Sequence, residues 1–242
     1  MILRKLLYNF IVRIMRLIPT GTPLIILRGP LRGYKLIMGA PAGSGKGLSI
    51  IINRSEPKRM RLAKDLALPN FICFDIGANV GIYSLLFATK SKFVYAFEPL
   101  PRNLKYLCKT INLNKVENIK IIPYAVTNKV GISWFQEGEN VAEGKLGPNG
   151  ALRVKTISLD NFIKNKGVEP NLLKIDVEGA EISVLEGAKN YMIQKKPILL
   201  IETHGDTLKK KVFKFLNEIG YKKVIPIDSE SIEEANDFVF KT

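Results

Sequence analysis

The sequence predicts an α/β fold in which amphipathic helices cover a doubly wound, mostly parallel sheet. From residue 71 onward, apolar strands, turns and amphipathic helices follow one another repeatedly. A glycine turn follows the first of these strands, and the second strand ends in a carboxylate. This alternation is typical of sheets that bind ligands at the carboxyl ends of their strands.

The stretch Phe71–Leu86, FICFDIGANVGIYSLL, predicts a strand, a glycine turn and a helix. Gly77 permits a positive φ or a close approach to a ligand, Asn79 tolerates the left-handed region, and Gly81 lets the helix begin close to the strand. The nucleotide-binding pattern Gly-x-Gly-x-x-Gly is absent, because the glycines stand four residues apart. A purely structural turn has no need of the acid at Asp75, so we interpret the stretch as a ligand site.

A second carboxylate ends the next predicted strand, Lys92–Glu98. Glu98 lies 23 residues after Asp75, about the spacing at which this fold class presents a carboxylate to ribose hydroxyls. The two oxygens of one carboxylate suit two vicinal hydroxyl groups. We therefore expect a ligand that contains a ribose.

Residues 99–157 predict one more helix and three strands. The helix is Pro99–Asn114, and the third strand of the sheet is Ile119–Val126, whose end would lie near an adenine. The apolar face of the helix comprises Leu104, Leu107, Cys108 and Ile111. Val130–Gln136 and Leu152–Ile157 predict a β pair, and the glycine-rich loop between them is either a lid or a plain solvent-exposed connection.

Four further apolar runs complete the sheet. Leu172–Ile175 and Ile198–Ile201 predict buried strands, each followed by a turn and an amphipathic helix. Lys222–Ile227 and Asp237–Phe240 predict an antiparallel hairpin that closes the edge of the sheet.

Ionisable side chains cluster at the ends of two of these strands. Because side chains alternate along a strand, Lys174, Asp176 and Glu178 are expected to share one side where the chain leaves the sheet. Glu202 and His204, the only histidine, follow the next strand. The candidate general bases are Asp176, Glu178, Glu202 and His204. Imidazole suits this task near neutral pH, so we expect turnover to rise with pH through a pKa near ~6.5.

These candidates have plainer interpretations as well. His204 can be a hydrogen-bonded residue at a strand end, and Asp176 and Glu178 can complement the dipole of the following helix. The same side chains, with Glu202, could form an oxygen-rich magnesium site. Carboxylates near a helix N-terminus have the simpler explanation, and we assign no metal ligand.

Residues 1–65 predict a basic N-terminal helix and extension, and residues 66–242 the ligand-binding domain. The extension carries 13 Lys or Arg against 2 Asp or Glu, whereas the domain carries 24 against 20. Met1–Ile18 predicts an amphipathic helix that charges interrupt too often for a membrane span. The helix either lies on an anionic membrane surface or packs on the domain or a second subunit, which would make a homo-oligomer.

Two short features further limit the interpretation. Ala40–Ser49 resembles a phosphate-binding loop but lacks its first glycine and its Ser or Thr, so we expect a flexible loop beside the substrate entrance. Cys73 and Cys108 are expected to be small buried hydrophobes rather than a disulfide or metal pair. This cysteine usage fits a cytoplasmic protein, and the basic helix would hold it peripherally on the inner face of the membrane.

Four motifs in order resemble the signatures of the FkbM-type methyltransferases. They are Phe74–Gly81, Ala96–Pro99 with Arg102 and Asn103, Ser158–Asp160, and Leu173–Glu181. The resemblance covers roughly residues 71–204. It implies a Rossmann-like class I methyltransferase fold, with a seven-stranded sheet, that binds S-adenosylmethionine. Carried over by position, the residues that would line its methionine and ribose are Asp75, Gly77, Asn79 and Gly81, with Glu98 accepting the ribose hydroxyls.

The resemblance also implies O-methylation of a hydroxyl on a sugar, a glycolipid or another small or lipid-linked molecule. One alternative is a methyltransferase or binder of RNA that uses the basic N-terminal arm. The spacing of aromatic residues in that arm does not form a stacking platform, which disfavours nucleic acid as a partner. A second alternative is a non-catalytic membrane-associated module, which the intact acid–glycine–acid set disfavours.

Overall fold

The computed structural model describes residues 17–40, 47–137, 144–147 and 150–242. The described helices are α1 Leu48–Ile51, α2 Pro57–Leu66, α3 Ile82–Ala88, α4 Pro101–Asn114, α5 Leu159–Lys166, α6 Glu181–Gly187, α7 Lys189–Lys195 and α8 Asp206–Glu218. The described strands are β1 Pro23–Ile25, β2 Lys35–Ile37, β3 Ile72–Ile76, β4 Phe93–Phe97, β5 Ile119–Ile122, β6 Ala125–Val126, β7 Gly131–Glu137, β8 Gly144–Leu146, β9 Leu152–Ile157, β10 Leu172–Ile175, β11 Ile198–Glu202, β12 Lys223–Pro226 and β13 Asp237–Lys241.

Three predicted features lie wholly or partly outside the described residues. All of the amphipathic helix Met1–Ile18 except its last two residues lies outside them, so this helix stays a prediction. Residues 41–46 in the loop before α1, and 138–143 and 148–149 in the candidate lid, also lie outside the described residues, so the predictions for these loops stay predictions. Among the helices that the structure describes, none is long and apolar enough to cross a membrane.

The central sheet has seven strands in the order β12-β13-β11-β10-β3-β4-β5. The strands from β11 to β5 run parallel, and β13 lies antiparallel between β11 and β12. This confirms the predicted mostly parallel sheet with an antiparallel C-terminal edge. The strand order reverses between β3 and β10, which is where sheets of this kind form a ligand-binding crevice.

The predicted third strand, Ile119–Val126, is divided between two sheets. β5 ends at Ile122, and β6 begins at Ala125 in a separate four-stranded sheet of order β6-β9-β7-β8. Pro123 stands between them, and a proline cannot donate the hydrogen bond that would continue the ladder. The predicted β pair is present, and the structure shows that β7 and β9 run antiparallel.

Hydrophobic residues fill both faces of the central sheet. Phe74 and Ile76 of β3 contact one cluster, which α5, α6, α7 and α8 cover. Cys73 lies in the opposite cluster, together with Leu36 of β2 and Met60 of α2. The predicted boundary between residues 65 and 66 therefore falls inside α2, and residues on both sides of it share one core.

Helix α4 is rotated relative to its predicted orientation. It buries Asn103, Leu107 and Thr110, whereas Cys108 is exposed. Asn103 on the buried face has a polar partner in the domain, because its amide donates a hydrogen bond to Glu98. The prediction of a buried Cys108 is wrong. The other cysteine, Cys73, is buried, and burial raises the pKa of its thiol to about 12.

Candidate active site

Gly77 and Gly81 shape the turn that joins β3 to α3. Their φ angles are 79° and 92°, in the left-handed region. A Cβ atom at Gly77 would collide with the carbonyl oxygen of Asp176, and one at Gly81 would collide with the Leu107 side chain. Glycine at both positions therefore lets the turn pack directly against the end of β10 and against α4.

Glu98 is held beside this turn by three donors. Its Oε2 accepts a hydrogen bond from the Asn79 N–H at 2.8 Å. Its Oε1 accepts from the Leu100 N–H at 3.0 Å and from the Asn103 amide at 3.3 Å. Burial raises the pKa of Glu98, and the hydrogen bonds from Leu100 and Asn79 offset part of that effect. Asn79 adopts a left-handed φ of 50°.

The turn and Glu98 line a cavity of about 350 Å³ at the carboxyl edge of the sheet. Gly77 and Asn79 lie on its wall together with Glu98. Its apolar side includes Leu100, Tyr124, Val126 and Phe135. Its ionisable side includes Lys174, Asp176, Glu178 and Glu202. One ligand in this cavity could therefore contact both apolar side chains and carboxylates.

The structure places Asp75 and Gly81 behind this cavity rather than on its surface. Asp75 is fully buried, accepts a hydrogen bond from Ser84 Oγ at 2.5 Å, and forms an ion pair with Lys174 Nζ at 3.3 Å. Lys174 Nζ in turn donates to the Gly77 carbonyl oxygen at 3.0 Å. In this structure Asp75 and Gly81 position the turn, and their predicted contact with the ligand stays a prediction.

Lys174 and Asp176 form a buried pair at the end of β10. Lys174 Nζ lies 3.3 Å from Asp176 Oδ2. Burial alone would lower the pKa of Lys174, but the Asp176 and Asp75 carboxylates outweigh it and the pKa is raised. Burial likewise acts to raise the pKa of Asp176, but Lys174 and Arg59 bring it down to about 2. Both groups are therefore charged across the physiological range.

His204 lies among three carboxylates. Its Nδ1 is 2.7 Å from Glu181 Oε1, and its Nε2 is 3.2 Å from Glu178 Oε2 and 3.7 Å from Glu202 Oε1. The hydrogen bond with Glu181 raises the pKa of His204 to about 9, although burial acts in the opposite direction. These contacts therefore favour the protonated ring at pH 7 in the free protein, and they place its pKa above the value expected from the sequence.

Arg59 of α2 is the residue of this site that the sequence interpretation missed. Its side chain is 2% exposed. Its guanidinium contacts the carboxylates of Glu56, Asp176, Glu202 and Asp237. Burial raises the pKa of Asp237 to about 7, and burial with the nearby Asp176 raises that of Glu202. The pattern that could have revealed Arg59 is its place four residues before Ala63, on the apolar face of α2.

Three of the predicted residues also meet the geometry of a metal site. One ligand atom from each of Asp176, Glu178 and His204 lies within 4.8 Å of the others. Two carboxylates and an imidazole could hold a divalent cation. The same atoms are already engaged in ion pairs with Lys174, Arg59 and each other, which explains the cluster without an ion.

The sheet order and the glycine turn beside Glu98 define a Rossmann-like class I methyltransferase. Residues 75–223, more than half of the chain, match the methyltransferase FkbM domain. The hexuronic acid methyltransferase AglP of Haloferax volcanii is 32% identical over 169 residues, which cover 68% of this chain and 69% of that protein. The tRNA (guanine(37)-N(1))-methyltransferase Trm5b of Pyrococcus abyssi is 41% identical over 66 residues, 27% of this chain and 20% of that protein.

A solved structure supports the fold. The crystal structure of methyltransferase FkbM from Methylobacillus flagellatus KT matches with a TM-score of 0.56 at 19% identity, over 71% of this chain and 44% of that chain. The present chain belongs to the FkbM methyltransferase family and is an S-adenosylmethionine-dependent methyltransferase.

The residues of the cavity fit this cofactor. Glu98 is buried and still lies on the cavity wall, so its carboxylate can accept hydrogen bonds from ribose hydroxyls. Tyr124, Val126 and Phe135 provide an apolar surface for an adenine ring. Asp176 and Glu178, which also line the cavity, offer negative charge to a cationic sulfur and amino group.

Proposed function

We propose that this enzyme transfers a methyl group to a hydroxyl oxygen of a sugar, either free or carried on a lipid or another small molecule. One observation carries the proposal: a single cavity is lined both by Glu98 and by the Asp176, Glu178 and Glu202 carboxylates. Carboxylates accept hydrogen bonds from hydroxyl groups and so can orient a polyol. The similarity to a hexuronic acid methyltransferase supports a sugar as the acceptor.

In this proposal the cofactor binds between β3, β4 and β10. Glu98 accepts hydrogen bonds from the two ribose hydroxyls, and its own position is fixed by Asn79 and Asn103. Gly77 and Asn79 supply the turn that contacts the cofactor, and Asp75 holds this turn through Lys174. When bound, S-adenosylmethionine supplies an electrophilic methyl group on a positively charged sulfur.

The acceptor oxygen forms a bond to the methyl carbon as the carbon–sulfur bond breaks, and that electron pair remains on sulfur. The hydroxyl proton passes to a side chain of the enzyme. In-line placement of the two reacting atoms, about 3 Å apart, supplies much of the rate. Asp176 and Glu178 orient the acceptor, because both carboxylates line the cavity. Lys174 holds the Asp176 carboxylate in place, and His204 holds that of Glu178.

His204 is the proposed proton acceptor, in contact with Glu178. Its imidazole becomes neutral only as the pH approaches about 9 in the free protein. A base with this pKa is strong but scarcely populated at pH 7, so its contribution grows with pH. If His204 instead stays charged during the reaction, the Glu178 carboxylate receives the proton, and the imidazolium holds that carboxylate in position.

The experiment combines purified protein, cofactor with a labelled methyl group, and a panel of neutral and acidic sugars and glycolipids. We expect label on a sugar, in a product that resists mild alkali as a methyl ether does. An alkali-labile product would be a methyl ester and would contradict the hydroxyl acceptor. Binding of the cofactor without transfer to any sugar would contradict the sugar assignment.

A further inference from the structure

A second cavity, of about 490 Å³, lies beside the first. The two cavities share Glu178 and Ala180 in their walls. The outer wall of the second cavity is the start of α8, from Asp206 to Lys211. A molecule held there could therefore reach the end of the first cavity at which methyl transfer is proposed.

Five of the nine residues that line the second cavity carry ionisable or hydroxyl side chains. Its ionisable and hydroxyl side chains are those of Glu178, His204, Asp206, Thr207 and Lys211. The first cavity, in contrast, is lined by four residues with benzene or phenol rings, Tyr83, Phe97, Tyr124 and Phe135. Carboxylates accept hydrogen bonds and a threonine hydroxyl both accepts and donates them, so together they can bind several hydroxyl groups at once. This chemistry suits a sugar better than it suits an adenine or a lipid chain.

Glu178 is held at the junction of the two cavities. Its backbone φ is 52°, a left-handed conformation that non-glycine residues seldom adopt. Its carboxylate contacts His204 Nε2 at 3.2 Å, and the other ring nitrogen is bonded to the buried Glu181. Strained backbone of this kind concentrates at functional sites. The geometry thus presents one carboxylate and one imidazole to a hydroxyl that enters from the second cavity.

Of the described residues that line this cavity, Lys211 alone carries an ammonium group. Among the residues that the structure describes, no carboxylate lies within 4 Å of it, whereas Lys209 on the same helix pairs with Asp206 at 3.6 Å. Thr207 and Lys211 are four residues apart, so they lie on the same side of α8. Side chains lean toward the N-terminus of their helix, which directs Lys211 toward Thr207.

We propose that the second cavity is the acceptor site and takes a sugar that bears an anionic group. One hydroxyl of that sugar lies against Glu178 and His204, and the anionic group pairs with Lys211. This inference rests on the proposed function and adds the place, orientation and charge of the acceptor.

The test compares three acceptors in the presence of cofactor: methyl glucuronide, glucose 6-phosphate and neutral methyl glucoside. We expect a kcat/KM at least about 10-fold higher for the anionic sugars than for the neutral one, a preference that weakens as salt screens the charge. A preference for the glucuronide over the phosphate indicates that the acceptor sugar bears a carboxylate group. The reverse preference indicates a phosphorylated sugar. Lys211→Met should bring the ratio close to one, while the matched exposed Lys210→Met should keep it.

Binding supplies a second readout. Calorimetry with methyl glucuronide and S-adenosylhomocysteine should show about 10-fold weaker acceptor binding in Lys211→Met, with unchanged affinity for S-adenosylhomocysteine. Methylation of sugars with no preference for the anionic acceptors, or equal values for Lys211→Met and Lys210→Met, overturns the inference and leaves the proposed function intact. Failure of the cofactor-loaded protein to methylate any sugar overturns both.

Discussion

The Nδ1 atom of His204 lies 2.7 Å from Oε1 of Glu181, a residue with no solvent exposure. Glu181 also accepts a hydrogen bond from the Gly179 N–H at 3.1 Å, so a second contact, independent of the imidazole, holds its carboxylate in position. A fixed, buried acceptor favours the protonated ring. This contact turns the single histidine of the chain from an ordinary imidazole into a cation at neutral pH.

The first prediction is that His204 titrates at about pH 9 in the free protein. Because the chain has one histidine, its ring protons give an isolated NMR signal that can be followed against pH. Glu181→Gln should move the midpoint down toward the ordinary value, because the amide carries no charge. Glu186→Gln, an exposed change on the same helix, should leave it in place. A midpoint near 6.5 in the unaltered protein would contradict the assignment.

The same shift affects stability in a defined direction. The folded-state pKa of His204 lies above its unfolded value of about 6.5, so protonation stabilises the fold. The stabilisation is complete below about pH 6.5 and is lost as the pH rises through about 9. Urea unfolding should show a loss on the order of 2–3 kcal/mol over this interval that the His204→Gln variant lacks.

The second prediction concerns turnover. If His204 takes the acceptor proton, kcat should rise with pH up to about 9, and His204→Ala should lower it by roughly 10²–10⁴-fold and remove the rise. The affinity for S-adenosylmethionine should hardly change. A flat profile from pH 6 to 9, with turnover lost in Glu178→Gln, would instead assign the proton to the Glu178 carboxylate. Loss of turnover on treatment with a chelator, restored by magnesium, would favour a metal at the same cluster.

The third prediction separates the residue that contacts the cofactor from the one that supports the turn. Glu98→Gln should weaken S-adenosylmethionine binding by on the order of 10- to 100-fold, since removing a charged hydrogen-bond acceptor costs about 1.5–3 kcal/mol. Asp75→Asn should mainly lower the free energy of unfolding, because Asp75 is fully buried against Lys174. Calorimetry and urea unfolding measure the two effects. An unchanged affinity in folded Glu98→Gln protein would remove Glu98 from the site.

The strand–turn–helix around Gly77 was predictable because glycine positions and side-chain alternation are local features of the sequence. The approach of Asp176, Glu178 and His204 was predictable as well, since the carboxyl ends of parallel neighbouring strands lie at one edge of a sheet. Neither inference required knowledge of the packing of distant segments.

Other features depend on packing that the sequence does not display. Arg59 reaches the site because α2 lies across the ends of strands that follow it by more than a hundred residues. The orientation of α4 is decided by the bond from Asn103 to Glu98, which a hydrophobic pattern cannot register. The raised pKa of His204 requires Glu181, which is 23 residues away in sequence.

The fourth prediction concerns residues 1–18, most of which lie outside the described residues. Leu17, near the end of this segment, is 82% exposed, and Ile25 and Leu27, which follow it, are 54% and 59% exposed. If the segment lies on a membrane surface, the protein should float with anionic vesicles and be released as salt rises. Deletion of residues 1–18 should abolish flotation and leave cofactor binding intact. Loss of folding or of an oligomeric state in the deletion variant would make the segment a packing element.

The fifth prediction addresses Arg59, whose single guanidinium contacts four carboxylates. Removal of this charge leaves Asp176, Glu202 and Asp237 close together, with Lys174 as the remaining buried cation beside Asp176. Arg59→Met should therefore lower the free energy of unfolding at pH 7 by about 3–5 kcal/mol, the usual effect of breaking a buried ion pair.

Two controls identify the cause of that loss. Arg61→Met, on the exposed face of the same helix, removes an equal charge and should change stability by no more than about 0.5 kcal/mol. Arg59→Lys keeps the charge but lacks the planar fork that contacts several carboxylates, so it should recover only part of the loss. Because protonation relieves the repulsion among the carboxylates, the deficit of Arg59→Met should shrink as the pH falls toward 5. If Arg59→Met is as stable as Arg61→Met at pH 7, the carboxylates do not depend on Arg59, and α2 is held in place by its apolar contacts alone.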